Sequence, residues 1–195
     1  MVAQSFVRIP RERIGVLIGV NGSVKEHIEK RLGVKLEIDS ETGDVTITLK
    51  ERNGDPTLIF RAKDVVMAIG RGFSPERAFK LLENEDYMLE IIDLRDMLGK
   101  SEAELRRVKG RIIGRDGRTR EIIEEMSGAM VSVYGHTVAI IGDVDQVGVA
   151  REAVNLLIGG SAHSTVYKFL QRKRQELKRR RLELWEGSSL LPGHE

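Results

Sequence analysis

No cysteine occurs in the 195 residues, which excludes disulfides and thiol chemistry. Aromatic residues make up only 5% of the chain, too few for a surface that holds nucleic acid mainly by stacking bases on rings. No apolar run reaches the roughly 18 residues needed to span a bilayer. The N-terminus opens on no apolar signal region, so a cytoplasmic location with no membrane partner is expected. His27, His136, His163 and His194 are scattered, with no metal-ligand spacing. Gly110 to Thr119 superficially suggests a phosphate loop, but G-x-x-x-x-G-K-[ST] spacing is missing, as is a G-x-G-x-x-G after a strand. No nucleophile–base set can be assembled. The expectation is no cofactor, no metal and no enzyme activity.

The chain does have charge. Charged residues make up 32% and hydrophobic residues 41%, which suits a globular protein with a heavily charged surface. With only four Asn and four Gln as well, the composition leans toward a hot-growing source. The formal net charge is only +2, so its distribution matters more than its total. Seven basic residues and a single acid, Asp116, lie between Arg106 and Arg120. Eight Lys or Arg face two Glu between Lys168 and Glu183.

The first basic cluster surrounds Ile112-Ile113-Gly114-Arg115-Asp116-Gly117. Leu105, Val108 and Ile112 before it, and Ile122, Ile123 and Met126 after it, have helical spacing. Glycines let a sugar-phosphate backbone approach such a loop. The helix that begins there offers unpaired N–H groups and a positive dipole end to phosphate. Ile18-Gly19-Val20-Asn21-Gly22 echoes the loop 95 residues earlier, with Gly15, Leu17, Glu26, Ile28 and Gly33 matching Gly110, Ile112, Glu121, Ile123 and Gly128. Matches on both sides of both loops indicate an internal duplication.

Each copy reads as β-α-α-β-β-α. In the first, strand 5–10 stops at Pro10, and the helices 11–18 and Val24 to Leu32 flank the loop. Val34, Leu36 and Ile38 alternate into a hairpin with Val45, Ile47 and Leu49. Asp55-Pro56 caps a helix running to about Ile69. Ser74-Pro75 starts a connecting helix to about Leu82. The second copy opens with a strand, Tyr87 to Leu94, followed by a capping-box pattern at Ser101 and Glu104. It continues with a hairpin around Tyr134-Gly135-His136 and a last helix capped by Asp143 and Gln146. Ala162 to Leu184 adds a helix with Val166, Phe169, Leu170 and Leu177 in an apolar stripe and a basic far half. The expected divisions are 5–72, a connector 73–85, 86–160, a basic helix 161–185 and a loose tail 186–195.

This order, with I-G-x-x-G between the first two helices, resembles the type I KH domain, here as a tandem pair. The fold implied is α+β: two three-stranded antiparallel sheets, each packed by three helices, plus the C-terminal helix. KH domains bind single-stranded nucleic acid, the loop clamping about four nucleotides. The segment Arg8-Ile9-Pro10 to Gly19 and the Lys-Arg-Arg-Arg run resemble more specifically the archaeal and eukaryotic partner-of-Nob, or Dim, group of small-subunit assembly proteins. That resemblance implies binding near the 3′ end of small-subunit ribosomal RNA. It also implies protein partners: the endonuclease that trims that end, and a ribosome or translation initiation factor. A tandem-KH regulator of messenger RNA or transcription, and a KH-based protein adaptor, are the alternatives.

The residues expected at RNA in the second copy are Gly114, Arg115, Asp116, Gly117, Arg118, Arg111, Ile113, Val131 and Val133, with Ile122 or Ile123 beside them. The first loop departs from the pattern, having no basic residue between its glycines. Gly19, Val20, Asn21, Gly22 and Lys25 are its candidates for RNA, and protein contact is the other use open to it. Lys178, Arg179, Arg180 and Arg181 are expected to attract backbone without base preference.

Overall fold

The computed structural model describes residues 4–50 and 55–188. In the first unit β1 (Gln4–Arg8) precedes a single 3-10 turn that runs into α1 (Ile14–Ile18). The loop follows, then α2 (Ser23–Leu32), β2 (Val34–Ile38), β3 (Asp44–Leu49) and α3 (Thr57–Gly70). Asp55 caps α3 by accepting from the Thr57 N–H at 2.8 Å, and Pro56 has helical φ −60° and ψ −22°, so its missing N–H costs nothing. The connector is two short helices, α4 (Pro75–Ala78) and α5 (Lys80–Glu83), rather than one.

The second unit comprises β4 (Met88–Asp93), a short α6 (Leu94–Leu98) capped by Asp93, α7 (Glu102–Ile113), α8 (Arg118–Ser127), β5 (Met130–Tyr134), β6 (Thr137–Gly142) and α9 (Val144–Ile158). Asp143 and Gln146 form a complete capping box. At α7 the Ser101 hydroxyl accepts from the Glu104 N–H at 3.4 Å. α10 (His163–Ser188) runs past its expected end at about Leu184. The rest of the expected tail, 189–195, lies outside the described residues.

Each sheet has the newest strand in the middle, β1-β3-β2 and β4-β6-β5, all pairs antiparallel. The two sheets differ in what covers them. In β3, Val45, Ile47 and Leu49 are buried against helices while Thr46 and Thr48 face out. That is the period-two pattern of a half-solvated antiparallel sheet. Phe6, on the same outer face, is 69% exposed. β6 is buried at every residue. Val138 and Ile140 enter the core of the second unit. Ala139 and Ile141 enter the core of the first, with Leu89, Ile91 and Met130 packed alongside. The strand registers equate Thr46 with Ala139, Thr48 with Ile141 and Lys35 with Met130. One outer face stayed polar in water, and the other is apolar because the end of α3 and the connector cover it.

Polar ties hold that contact. The Ser132 hydroxyl donates to the Arg71 carbonyl at 2.9 Å, and the Tyr134 hydroxyl donates to Glu12 at 2.8 Å. Arg77 from α4 pairs with Glu124 of α8. The turn after each third helix is pinned by an arginine from the first helical segment. Arg13 donates to the carbonyls of Ile69 at 2.8 Å and Phe73 at 2.7 Å. Arg111 donates to those of Leu157 at 3.2 Å and Ser161 at 2.5 Å. α10 then folds back over α8 and α9, with Val166, Phe169 and Leu170 buried in the second core.

Removing the Ile141 side chain beyond Cβ should therefore cost about 2–5 kcal/mol, as for other large-to-small core changes. The same truncation at its counterpart Thr48 should cost under about 1 kcal/mol. Urea unfolding of Ile141→Ala and Thr48→Ala checks the difference.

Candidate nucleic-acid interface

The second loop is built by backbone geometry. Gly114 has φ 74° and ψ 177°, Asp116 φ 52° and ψ 28°, and Gly117 φ 79° and ψ 4°. All three have positive φ, which glycine adopts freely; Asp116 and Gly117 are left-handed helical, a region that Asp or Asn enters more readily than other residues. A Cβ on Gly114 would also lie 2.2 Å from the Thr119 hydroxyl, so no other residue fits there. The first loop repeats these angles: Gly19 at 74° and 174°, Asn21 at 52° and 27°, Gly22 at 80° and 10°. The duplicated scaffold is intact in both copies, and they differ in the side chains it presents.

Among the described residues, Arg106, Arg115 and Arg120 engage in no hydrogen bond or ion pair. Arg118 sits 3.5 Å from Glu121 and remains exposed. Arg111 commits its guanidinium to the carbonyls of Leu157 and Ser161, while its side chain still lies beside Gly110, Gly114 and Arg115. Lys109 donates to the Gly135 carbonyl at 2.8 Å, which turns its face of α7, shared with Ile113, toward the β5–β6 hairpin. Ile113 is half-buried there.

The opposite wall is β5, whose outer edge is unpaired by any strand. Val131 was expected to face RNA, but it is 0% exposed, and its N–H donates to Glu124 at 2.6 Å. Its place on the inner face of the sheet, opposite Ile140, puts it in the core. Val133, two residues on, shares that edge and is half-buried. Ile123 is core as well. Ile122 lies with Thr119 and Met126 on the flank of α8 that α10 covers through Tyr167 and Arg174.

Two residues of α8 take their place on the groove side. Glu124 reaches β5, and Arg120 lies one turn before it on the same face. The first copy carries the same pair: Glu29 accepts from the Leu36 N–H at 2.7 Å, with Lys25 4.0 Å away. There the carboxylate sits beside its own helix's cation. In the second copy Arg77 pairs with the carboxylate instead, and Arg120 has no acidic partner. A periodicity reading missed this, although an acid and a base four apart, repeated at an offset of 95 residues, was visible in the sequence.

Val20, at the tip of the first loop, is 81% exposed. On α10, Arg179 lies 3.5 Å from Glu183 and Arg180 3.5 Å from Asp145, while Lys178 is exposed. The side chain of Arg181 lies outside the described residues. His136, in the hairpin turn, is bonded through Nδ1 to Asp93 at 2.8 Å. Desolvation pushes the Asp93 carboxyl up, but the Arg95 N–H and the His136 ring together hold it below its ordinary range. No group of three His, Cys, Asp or Glu able to hold a metal, and no helix able to cross a membrane, occurs among the described residues.

Glu124→Ala should orphan the Val131 N–H and strip Arg77 of its partner, at about 1–3 kcal/mol. Hydrogen exchange should rise first at the Val131 amide, and an unchanged rate there would contradict the assigned bond.

Comparison with known proteins finds the same two units. Residues 88–175 match the family described as a eukaryotic-type KH domain, type I, the second domain of PNO1. Residues 9–84 match the first KH domain of Krr1. A KH domain-containing protein of Methanocaldococcus jannaschii is 52% identical over 94% of this chain and 80% of its own length. The pre-rRNA-processing protein pno1 of Aspergillus fumigatus is 31% identical over 80% of this chain, which spans only 60% of that relative. Among solved structures, Dim2p of Pyrococcus horikoshii superposes with a TM-score of 0.80 at 57% identity, covering 87% of this chain and 99% of that one. A chain in the a/eIF2alpha–aDim2p–rRNA complex from the same organism gives 0.84 at 54% identity, covering 90% and 96%.

Proposed function

The chain belongs to the Dim2/PNO1-like family of tandem KH-domain proteins, and we propose that it is a non-catalytic, cytoplasmic factor holding small-subunit ribosomal RNA during maturation. Single-stranded RNA of the 3′ region lies along the groove between the second loop and β5. The observation that carries this reading is the second loop itself: left-handed backbone between two glycines, with Arg115 and Arg120 free of acidic partners beside it. Backbone N–H groups and cations take the phosphates, while Ile113 and the edge of β5 at Val133 meet bases. The pre-rRNA-processing name of the fungal relative and the rRNA in the Pyrococcus complex support the choice of RNA.

For protein partners we propose the endonuclease that trims the 3′ end and an initiation factor, the latter on the strength of the a/eIF2alpha bound in that complex. The first loop favours a second use. Its exposed tip is Val20 beside Asn21, with no cation between the glycines, which suits contact with protein better than with phosphate.

Crosslinking followed by sequencing of the bound RNA tests the target: small-subunit rRNA is expected, and a spread over messenger RNAs would favour a regulator. Arg115→Asp should weaken binding to single-stranded RNA about tenfold, or about 1.4 kcal/mol, in a folded protein. Val20→Asp with Asn21→Asp should weaken it less than Arg115→Asp does at the second loop, which already carries Asp116. Replacing Lys178 through Arg181 with Gln should lower affinity for matched and scrambled RNA alike. It should also reduce the log–log salt slope by about 0.7 for each phosphate that is no longer neutralised. Titrations at several salt concentrations read both effects.

A further inference from the structure

The face of α7 that carries Arg107 and Gly110 is turned from the side marked by Lys109 and Ile113, which looks toward β5. Between that face, the second loop and the first two turns of α10 lies a cleft of about 520 Å³. Single small ligands occupy sites of about 300–1,000 Å³. It is lined by Arg107, Arg111, Arg115 and Arg118 and by His163 and Tyr167. Arg107 is paired with Glu104 at 2.6 Å and Arg118 lies 3.5 Å from Glu121, both exposed enough to exchange those partners for a phosphate, while Arg115 has none among the described residues. A Cβ on Gly110 would meet nothing within 4 Å, so the glycine leaves the cleft open above α7. The two rings are fixed in place. The His163 Nε2 is bonded to the Arg111 carbonyl at 2.9 Å, and the Tyr167 hydroxyl to the Thr119 hydroxyl at 3.0 Å.

The first copy serves as an internal control. At the offset of 95 residues, Arg107, Arg115, Arg118 and Thr119 correspond to Glu12, Val20, Ser23 and Val24. Glu12 is bonded to Tyr134. The first copy therefore has the loop without the cations, and no long helix follows α3 to supply the rings. Of the two copies, it is the second, where α10 meets the loop, that brings cations and rings together.

We propose that this cleft takes one further nucleotide of the RNA strand, adjoining those clamped by the second loop, with its phosphate at the arginine rim and its base against Tyr167 and His163. This rests on RNA binding at the second loop. It adds a contact that a KH unit lacking α10 could not make, and so lengthens the stretch of RNA the unit holds.

Affinity measured against single-stranded RNAs of increasing length, from about four nucleotides upward, tests it on the full chain. The wild type should gain affinity once the strand outgrows the groove. Arg107→Gln and Tyr167→Leu should each remove about fivefold of that gain and leave the shortest RNA bound as before. Tyr167→Phe, which keeps the ring, should retain it. Thermal melting establishes that α10 stays folded, and Arg107→Gln, whose guanidinium is bonded to Glu104 of its own helix, carries the test if Tyr167→Leu does not. Equal losses at every length, or no gain with length in the wild type, would overturn the cleft and leave the groove standing. A wild type that binds none of these RNAs would remove both. Adenosine monophosphate is the probe for a small-molecule site. If it binds alone as tightly as the longest RNA, and Arg107→Gln abolishes that, the cleft serves a free nucleotide and not the strand.

Discussion

Strand β6 has no face in water. One side packs on its own helices, and the other, through Ala139 and Ile141, packs on the first unit. Hydrophobic burial is roughly proportional to apolar area, so two small units that would each have a modest core share one contact and stabilise each other. The geometry of the groove between the second loop and β5 depends on it. Arg77 reaches Glu124 only because α4 lies against the second unit, and Glu124 in turn holds β5 through the Val131 N–H.

The duplication separates what the scaffold needs from what the ligand needs. Both loops keep the same left-handed backbone, and both acidic residues of the second helix keep their bond to the neighbouring strand. These are requirements of folding. Arg115 in place of Val20, Arg118 in place of Ser23 and an Arg120 without an acidic partner are not. They concentrate positive charge on one copy, where, on the proposed reading, field and backbone donors would act together on phosphate.

Much of this was legible in the sequence. Glycine spacing, alternating apolar residues and caps placed the elements, since those signals are local. Val131 was misread because a strand's apolar residues look alike whether they line a groove or fill a core, and only the register against Ile140 separates them. The carbonyl bonds of Arg111 were not legible, because a cation near a loop can equally serve carbonyls forty to fifty residues away. The uninterrupted apolar run Val138-Ala139-Ile140-Ile141, set against the alternating Val45-Thr46-Ile47-Thr48, already carried the placement of the two units. The arginine pins escaped comparison of the copies because Arg13 and Arg111 are not equivalent positions. They differ by three residues beyond the repeat, about one helical turn, yet reach the same two carbonyls.

The two faces of the paired units also bear on synthesis. The first unit leaves the ribosome first, and domains tend to fold in that order. Its sheet shows water a polar face, so that side needs no cover. The apolar back of the second sheet emerges after the first unit, when the surface that covers it is already synthesised. The vectorial order of translation thus gives the apolar back of the second sheet a cover to close on, and a circular permutant that began at β4 would expose that back before its cover existed.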